Sequence, residues 1–393
     1  MSSGRAFRWP VVVEPRPAAP LWLKIVLPFG SIGLALVVVA AFLAFRSLNP
    51  VVVYFEIVRT AFGSWFGFAD TLTSATPLIL TGLAVAFAFR VRLWNIGAEG
   101  QLIFGGIAAT GFGVWIGDIM PAPIGIPMTL LAGMVGGMFW IALVAYGKAR
   151  YGVNEILTSL MLNFVAVIFS YYLVDGTTSP WRDTTLIGHP VGREVASFLE
   201  LPRVGNTRLH WGFFVAILAV IAVHLVLRHT RLGFTMRVMN SSTKAAHYSG
   251  ISIGALTVRV LLISGSLAGL AGAIELLGRG GRFSPEGFAA GLGYTGIVVA
   301  ALGRLNPFGI VVSAVILGAV ENAALTMQSM PNPIPISVSI IVQGTLILFV
   351  VGGATLLSYR WRWIRTRAGP GGAPAAVAVA PGAGAVPKEE SST

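Results

Sequence analysis

The chain has 393 residues, of which 55% are hydrophobic and only 11% charged, far below the roughly one quarter of soluble domains, so a membrane protein is indicated. It contains no cysteine, which excludes disulfide frameworks, thiolate nucleophiles and cysteine metal sites, and its five histidines show no metal-ligand spacing. The net charge of +12 is compatible with nucleic acid or anionic lipid as a partner, so the positions of the basic residues have to decide between them.

A basic, proline-rich arm over residues 1–23 opens the chain, and we expect it to lie in the cytoplasm. It is followed by windows of about 20 apolar residues, each long enough to cross about 30 Å of hydrocarbon as a helix. The ten predicted spans are 24–45, 69–89, 97–117, 123–146, 154–174, 211–228, 255–277, 287–303, 308–328 and 334–356.

Two segments between and after these spans are predicted not to cross the membrane. Residues 51–68 combine Phe55 and Trp65 with Glu56 and Arg59, which suits a segment lying in the outer interface. Residues 357–393 are basic at first and then rich in Gly, Pro and Ala, with too little bulky apolar content to fold alone. We therefore expect a disordered cytoplasmic tail after the membrane-spanning domain of residues 24–356.

The basic residues are distributed unequally between the two sides of this topology. With the N-terminus inside, 19 of the 27 Lys and Arg residues fall on the inner side and eight on the outer side. The positive charge therefore indicates membrane orientation rather than nucleic acid binding. The predicted fold class is an all-α polytopic membrane protein with about ten transmembrane helices and both termini in the cytoplasm.

Small residues recur at helical spacing within the spans. Gly265, Gly269 and Gly272 lie on one helix face, and Gly133 and Gly137 form a second pair. Such faces allow neighbouring helices to approach backbone to backbone in lipid. We interpret them as packing surfaces rather than as a ligand site.

Polar residues inside spans are costly and mark either a pathway or an interhelical hydrogen bond. Glu321 with Asn322 in the ninth span is the clearest case, and Asn163, Gln343 and Glu275 are further candidates. The sequence leaves both interpretations open for these residues.

Two polar clusters lie where the chain enters the membrane from inside, at residues 94–101 and 152–156. Capping a helix N-terminus requires one acceptor at each site, and the first cluster exceeds that need. This excess favours a structured re-entrant or gate element at residues 94–101. The residues assigned to a translocation pathway or gate are Asn95, Glu99, Gln101, Asn154, Glu155, Asn163, Glu321 and Asn322.

The longest inner loop, about 229–254, has the pattern of a short helix parallel to the membrane. Ser241 or Ser242 can cap its start, and Gly250 can end it in a left-handed conformation after Ser249. This shape suits a docking element, although a lipid-surface connector has the same pattern.

The residues of this loop also carry a family resemblance. The segment from Arg237 to Ile251 resembles the cytoplasmic coupling motif of permease subunits of ATP-binding-cassette importers, in the branched-chain amino acid and simple-sugar permease group. The segments 94–101, 153–163, 264–272 and 296–307 are similar to the nucleoside-uptake branch of that group. Met239 and His247 depart from the small and the basic residue of the motif.

The resemblance implies a nucleoside permease, with simple sugars of the ribose or galactose type as the alternative substrate. It implies three partners: an ATPase subunit that uses ATP and Mg, a second, homologous permease subunit that forms a heterodimer with this chain, and a substrate-binding lipoprotein or periplasmic protein. The chain itself is expected to bind no cofactor or metal and to be no enzyme, since its sequence has no GxxxxGK[ST] phosphate loop. The residues implied in ATPase coupling are Arg237, Asn240, Lys244, Ala245, Ala246 and Gly250.

Other classes of function remain open on the residues alone. An ion-coupled secondary transporter would use intramembrane carboxylates such as Glu321 and Glu275. A membrane-embedded enzyme would need paired acid and base residues, which are not evident at catalytic spacing. The outer loop, about 175–210, has mixed charges that suit contact with a binding protein or an ordinary solvated loop.

Overall fold

The structure, a computed structural model, describes residues 11–15, 20–176, 179–186, 190–328 and 359–363, with short helical pieces between 340 and 356. The predicted tenth span, 334–356, and most of the tail lie largely outside the described residues. The elements are β1 (Val11–Pro15), α1 (Leu21–Phe45), α2 (Pro50–Phe62), α3 (Trp65–Phe89), α4 (Ala98–Trp115), α5 (Ala122–Tyr151), α6 (Glu155–Asp175), α7 (Gly212–His229), α8 (Arg231–Ser241), α9 (Thr243–Tyr248), α10 (Ile253–Gly278), α11 (Pro285–Phe288), α12 (Leu292–Leu302), α13 (Pro307–Met327) and β2 (Tyr359–Trp363).

The long helices follow the predicted spans within a few residues. Within the described ranges, seven helical segments are long and apolar enough to cross a membrane, and eight if α1 and α2 form one broken span. A multi-pass helical membrane protein is therefore confirmed, whereas the count of ten stays a prediction. The seven are α3, α5, α6, α7, α10, the combined α11 and α12, and α13.

The segment predicted to lie in the outer interface is divided between two helices. The chain bends by 117° between α1 and α2, and α2 begins at Pro50 behind the capping side chain of Asn49. It ends at Phe62, and the hydroxyl of Ser64 then accepts a hydrogen bond of 3.0 Å from the Gly67 amide to start α3. This second cap breaks the predicted segment 51–68, and Trp65 belongs to the next span.

The glycine faces predicted to pack helices do so around α10. A Cβ atom added to Gly269 would lie 2.2 Å from the carbonyl oxygen of Gly133, and one added to Gly137 would lie 2.2 Å from that of Gly265. A Cβ on Gly272 would lie 2.0 Å from the Leu102 carbonyl oxygen of α4. Since real Cβ atoms do not approach so closely, α4, α5 and α10 can form this core only with glycine at these positions.

The predicted eighth span, 287–303, is broken rather than continuous. The short helix α11 ends at Phe288, and Gly291 then adopts a left-handed conformation with φ of +86° at the start of α12. Glycine is the residue that enters this region without steric cost. The span therefore contains an 11-residue helix whose N-terminus lies inside the protein.

Two short strands join the opening arm to the start of the tail. β1 pairs antiparallel with β2, with Val11 opposite Trp363 and Pro15 opposite Tyr359. This pair lies outside the candidate membrane spans, so the all-helical class of the membrane-spanning part is confirmed. The sequence did not predict the strands, because pairing between such distant segments leaves no local sequence pattern. The pairing places residues 11–15, before the membrane-spanning domain, next to residues 359–363, after it.

Candidate functional site

The loop predicted to lie on the inner side contains the expected short helix, α9, which ends at Tyr248, one residue before the predicted end. The Ser242 hydroxyl accepts a hydrogen bond of 3.2 Å from the Ala245 amide, and Gly250 follows the helix with φ of +75°. The preceding residues form a second helix, α8, so the loop is a helix pair joined at Ser242. Capping by serine and the left-handed glycine explain why the helix is only six residues long.

The two neighbouring alanines of α9 differ in exposure. Ala246 is fully buried against the protein, whereas Lys244 and Ala245 are exposed. Tyr248, three residues after Ala245 and therefore on the same face, is 89% exposed. The sequence analysis did not include Tyr248, although an exposed aromatic residue on a short helix is typical of a protein interface.

Two further residues predicted for ATPase coupling, Asn240 and Arg237, are exposed but hydrogen-bonded to other parts of the chain. Asn240 accepts a hydrogen bond of 3.4 Å from Nε of Arg92, and the guanidinium of Arg237 donates to the Leu227 carbonyl at the end of α7. Arg237 is therefore held on this chain and is only partly free to meet a partner.

The first predicted polar cluster forms a buried hydrogen-bond network. The Asn95 amide donates to Ser264 at 2.8 Å and to Gln101 at 3.0 Å, and it accepts from Gln101 at 2.8 Å. Ser264 in turn donates to the Ala84 carbonyl at 2.6 Å. This network holds the non-helical backbone at residues 93–97 between α3 and α10.

Glu99 caps a helix other than its own. Its two carboxylate oxygens accept hydrogen bonds from the backbone N–H groups of Gly291, at 2.8 Å, and Gly293, at 2.6 Å. These N–H groups belong to the first turn of α12, whose N-cap residue is a glycine without a side chain to do this. Glu99 is 1% exposed, so the bonds form away from solvent.

Asn163 of α6 connects the start of α4 to the start of α12. Its amide oxygen accepts a hydrogen bond of 3.0 Å from the Gly100 N–H, and its nitrogen donates to the Ile96 carbonyl at 2.9 Å and the Tyr294 hydroxyl at 3.1 Å. The structure therefore brings together Asn95, Glu99, Gln101 and Asn163 at one junction.

The second predicted cluster acts as a cap. Asn154 accepts hydrogen bonds from the N–H groups of Ile156 and Leu157 at the start of α6. Glu155 forms an ion pair of 2.7 Å with Lys148 of α5. These two residues lie apart from the junction around Asn95, and local bonds account for both side chains.

Glu321 and Asn322 lie beside a polar cavity of about 580 Å³ at the end of the bundle where α3 begins and α10 and α13 end. Asn322 donates to the Thr71 hydroxyl and to the Gly67 carbonyl, each at 3.1 Å. This volume lies within the range of small-molecule sites. The cavity is lined by Asp70, Thr73, Ser74, Arg203, Arg208, Gly278, Arg279, Gly280, Asn322, Leu325 and Thr326.

Charged side chains of both signs surround this cavity. Arg279 forms an ion pair of 3.0 Å with Glu275 and also interacts electrostatically with Glu321. Asp70 and Arg208 approach each other at 3.9 Å. The sequence analysis missed Arg279, because an arginine at the end of a span has the pattern of an ordinary flanking charge.

The outer loop is fixed to the segment after α10. Arg282 bonds to both Asp183 and Glu194, and the Gly192 amide donates to the Phe283 carbonyl at 2.7 Å. Hydrogen bonds from Thr185, and then the Arg282 guanidinium, lower the pKa of Asp183 to about 2. This loop is therefore folded along these contacts, and Arg182 donates to the Asp175 carbonyl at 3.0 Å.

His210, which ends this loop, gives an expected pH dependence. Burial, and then the charges of Arg279 and Arg203, lower the pKa of His210 to about 4, while its Nδ1 accepts from the Gly212 amide at 3.2 Å. The unfolded chain takes up this proton near pH 6.5, so stability is full above that pH and is lost as the pH falls toward 4. We expect a loss of about 2 kcal/mol at pH 5.

Thermal unfolding of the purified chain in detergent, at pH 7 and pH 5, measures this loss. His210→Gln should reduce the difference between the two pH values, whereas His247→Gln, at an exposed position of α9, should preserve it. An unchanged pH dependence in His210→Gln would contradict the assignment.

Comparison with known proteins gives a family match over most of the chain. Residues 67–351 match the sequence profile of the family described as "Branched-chain amino acid transport system / permease component". This range contains the polar junction, the polar cavity and the α8–α9 pair.

Several curated proteins are similar over most of their length. A guanosine ABC transporter permease of Bacillus subtilis is 36% identical over 299 residues, which cover 76% of this chain and 84% of that protein. A glucose ABC transporter permease of Haloferax volcanii is 32% identical over 358 residues, 88% of this chain and 92% of that protein. A nucleoside ABC transporter permease of Lactococcus lactis subsp. cremoris is 28% identical over 337 residues, 83% and 90% of the two chains.

Proposed function

Since the chain belongs to the branched-chain amino acid transport system permease family, we propose that it is the membrane-spanning subunit of an ATP-driven importer that carries nucleosides across the plasma membrane. The observation that carries the choice of substrate is the 36% identity to the guanosine permease. The 28% identity to the nucleoside permease of Lactococcus lactis supports the same class of substrate. Simple sugars are the second candidate, which the similarity to the glucose permease favours.

The polar cavity supports a route for such a solute. A nucleoside combines a planar base with a ribose whose hydroxyls both donate and accept hydrogen bonds. The cavity presents Asp70, Asn322 and Arg279, so donors and acceptors for both parts are close together. We propose that the solute enters here and passes the junction of Asn95, Glu99, Gln101 and Asn163, which acts as a gate.

The exposed face of α9 supports coupling to a separate ATPase. Nucleotide-driven closure of that subunit would move α8 and α9 and thereby switch the pathway between its outward-facing and inward-facing states. ATP and Mg are used on the ATPase, since this sequence has no phosphate loop of the GxxxxGK[ST] type. In this proposal the exposed residues Lys244 and Ala245 contact the ATPase, Ala246 and Gly250 shape the helix, and Arg237 and Asn240 connect it to the core.

Two further partners complete the proposed importer. A second, homologous permease subunit pairs with this chain as a heterodimer, and a substrate-binding lipoprotein or periplasmic protein delivers the solute. The folded outer loop supports the second contact, because Arg182 and Arg193 lie next to the segment that Arg282 fixes. Opposite charges on a binding protein would steer it to this surface.

The proposed topology has ten spans with both termini in the cytoplasm. Contacts between residues predicted on the same side support it: Arg90 donates to the Leu305 carbonyl at 2.7 Å inside, and Arg208 approaches Asp70 outside. The β1–β2 pair supports placing the arm, 1–23, and the start of the tail, 357–393, on the same side of the membrane, at the two ends of the transmembrane permease domain, 24–356.

Uptake of labelled guanosine by a deletion strain complemented with the chain tests this function. Unlabelled nucleosides should compete for uptake, whereas glucose and ribose should not. Competition by the sugars alone would favour the second candidate. Uptake that is insensitive to ATP depletion but abolished by a protonophore would replace the importer with an ion-coupled carrier.

A further inference from the structure

A small basic pocket lies at the inner end of the bundle, away from the polar cavity. It has a volume of about 280 Å³ and lies where α3, α7, α8 and the start of α13 meet. Its lining includes Arg90, Arg228 and Arg237, and no Asp or Glu among the described residues lines it. Three cations without an opposing carboxylate in the lining form a site for an anionic group.

The three arginines are held to different extents. Arg90 donates through Nη2 to the Leu305 carbonyl at 2.7 Å, but its buried Nε has no hydrogen-bond partner among the described atoms. Arg237 donates to the Leu227 carbonyl, so its charge is fixed at the pocket. Since that Nε has almost no accessible surface, Arg90 offers a ligand in the pocket its positive charge rather than this N–H group.

The end of a helix adds to the positive potential. Asn306 and Pro307 line the pocket at the N-terminus of α13, a helix of 21 residues. Pro307 has no N–H and the Phe308 N–H already donates to Asn306 Oδ1 at 3.0 Å, so this helix start attracts an anion through the positive end of the helix dipole. The guanidinium groups and this helix start therefore favour the same kind of ligand.

The pocket also adjoins an apolar surface. The His224 ring contacts the Phe308 ring at a centroid distance of 4.9 Å, which joins the inner ends of α7 and α13. Outward from this contact, large apolar residues follow helical spacing on each helix and are 43% to 65% exposed. These are Phe214, Leu218, Ile221 and Leu225 on α7, and Phe308, Val312 and Ile316 on α13.

We propose that this pocket binds the phosphate of an anionic phospholipid of the inner leaflet, with the acyl chains along the apolar faces of α7 and α13. A basic pocket between helices on the cytoplasmic side matches the chemistry of such a headgroup. Because Arg237 belongs to α8 and Arg90 to α3, the bound phosphate connects the α8–α9 pair to the helical core. The lipid therefore stabilises the position of the coupling helices.

Retention of lipid by the full-length chain, purified with its co-purifying subunits in nanodiscs, tests the proposal. The nanodiscs contain phosphatidylcholine alone or with about one fifth phosphatidylglycerol, and native mass spectrometry counts the bound lipid. Wild-type protein should retain phosphatidylglycerol in preference to phosphatidylcholine. Arg228→Gln with Arg237→Gln should weaken this retention about twenty-five-fold, since each cation contributes about a factor of five.

Two variants serve as controls. Arg231→Gln removes an exposed charge from the same helix, α8, outside the pocket, and it should retain lipid as the wild type does. Arg228→Gln alone keeps the bond from Arg237 to α7 and should weaken retention about fivefold, so a folding defect of the double variant does not decide the outcome.

The remaining arms separate the possible occupants. Inorganic phosphate in phosphatidylcholine nanodiscs should bind much more weakly than the lipid, because it lacks the acyl chains. Equal binding of free phosphate would overturn the assignment to a lipid. Equal retention of phosphatidylglycerol by the wild type and the double variant would overturn the site and leave an acidic side chain of a partner subunit as the occupant. The readout is lipid bound rather than solute transported, so this result is independent of the substrate.

Discussion

Placing tryptophan at Ala245 should reduce ATP-driven uptake by about tenfold or more, while the chain still folds and reaches the membrane. Ala245 is exposed on α9, so a large side chain there adds bulk only to the face that we assign to the ATPase. Ala246 is fully buried, and the same change there would test folding rather than docking. Uptake, membrane expression and co-purification of the ATPase are the measurements.

A matched control for this substitution is available at the inner end of α5. Ala149 is exposed and lies outside the α8–α9 pair, so Ala149→Trp should leave uptake near the wild-type rate. If Ala245→Trp is expressed normally and transports at the same rate as Ala149→Trp, α9 is not the coupling element.

The sequence predicted α9 well because local chemistry alone determines its ends. A serine hydroxyl caps its first turn, and a glycine with positive φ follows it. The glycine faces of α5 and α10 were predictable for a similar reason, since only small residues permit the observed backbone approach. In both cases the residue types allow few alternatives.

Other features depend on partners that are far apart in the chain. The acceptor for the first turn of α12 is Glu99, 192 residues away from Gly291, and no local pattern indicates it. The pairing of β1 with β2 and the contacts of Arg282 with Asp183 and Glu194 have the same origin. Excess polarity at residues 94–101 did indicate a special segment, but only the fold shows which helix it caps.

Glu155 shows how two similar clusters can differ in their contacts. The sequence analysis assigned it to a pathway together with Glu99, because each belongs to a polar cluster where the chain enters the membrane from inside. In the structure an ion pair with Lys148 at 2.7 Å accounts for its side chain. Two similar polar clusters therefore differ in their contacts: Glu99 caps a distant helix, whereas Glu155 forms an ion pair with the neighbouring helix.

Because Glu99 caps a buried helix start, we expect Glu99→Ala to reduce both the stability of the protein and its uptake activity strongly. The substitution removes the acceptor for the N–H groups of Gly291 and Gly293 and leaves both donors unpaired in a buried site. An orphaned buried group costs about 1–3 kcal/mol, so the loss of stability should be about 3 kcal/mol or more. Uptake should also be abolished, because α12 starts at the junction that we propose as the gate. The thermal unfolding midpoint in detergent and guanosine uptake measure the two effects.

Two substitutions separate this capping role from a general loss of charge. Glu99→Gln retains one carbonyl oxygen as an acceptor, so it should recover part of the midpoint. Glu155→Ala leaves Lys148, whose side chain is 32% exposed and can return to water, so it should cost about 1 kcal/mol. The order of stability should therefore be wild type, Glu155→Ala, Glu99→Gln and then Glu99→Ala. A Glu99→Ala protein with the midpoint of Glu155→Ala would show that the start of α12 is stabilised by other contacts. If Glu99→Gln is as stable as the wild type yet inactive, the carboxylate charge acts in transport itself, and the role of Glu99 extends beyond the helix that it caps.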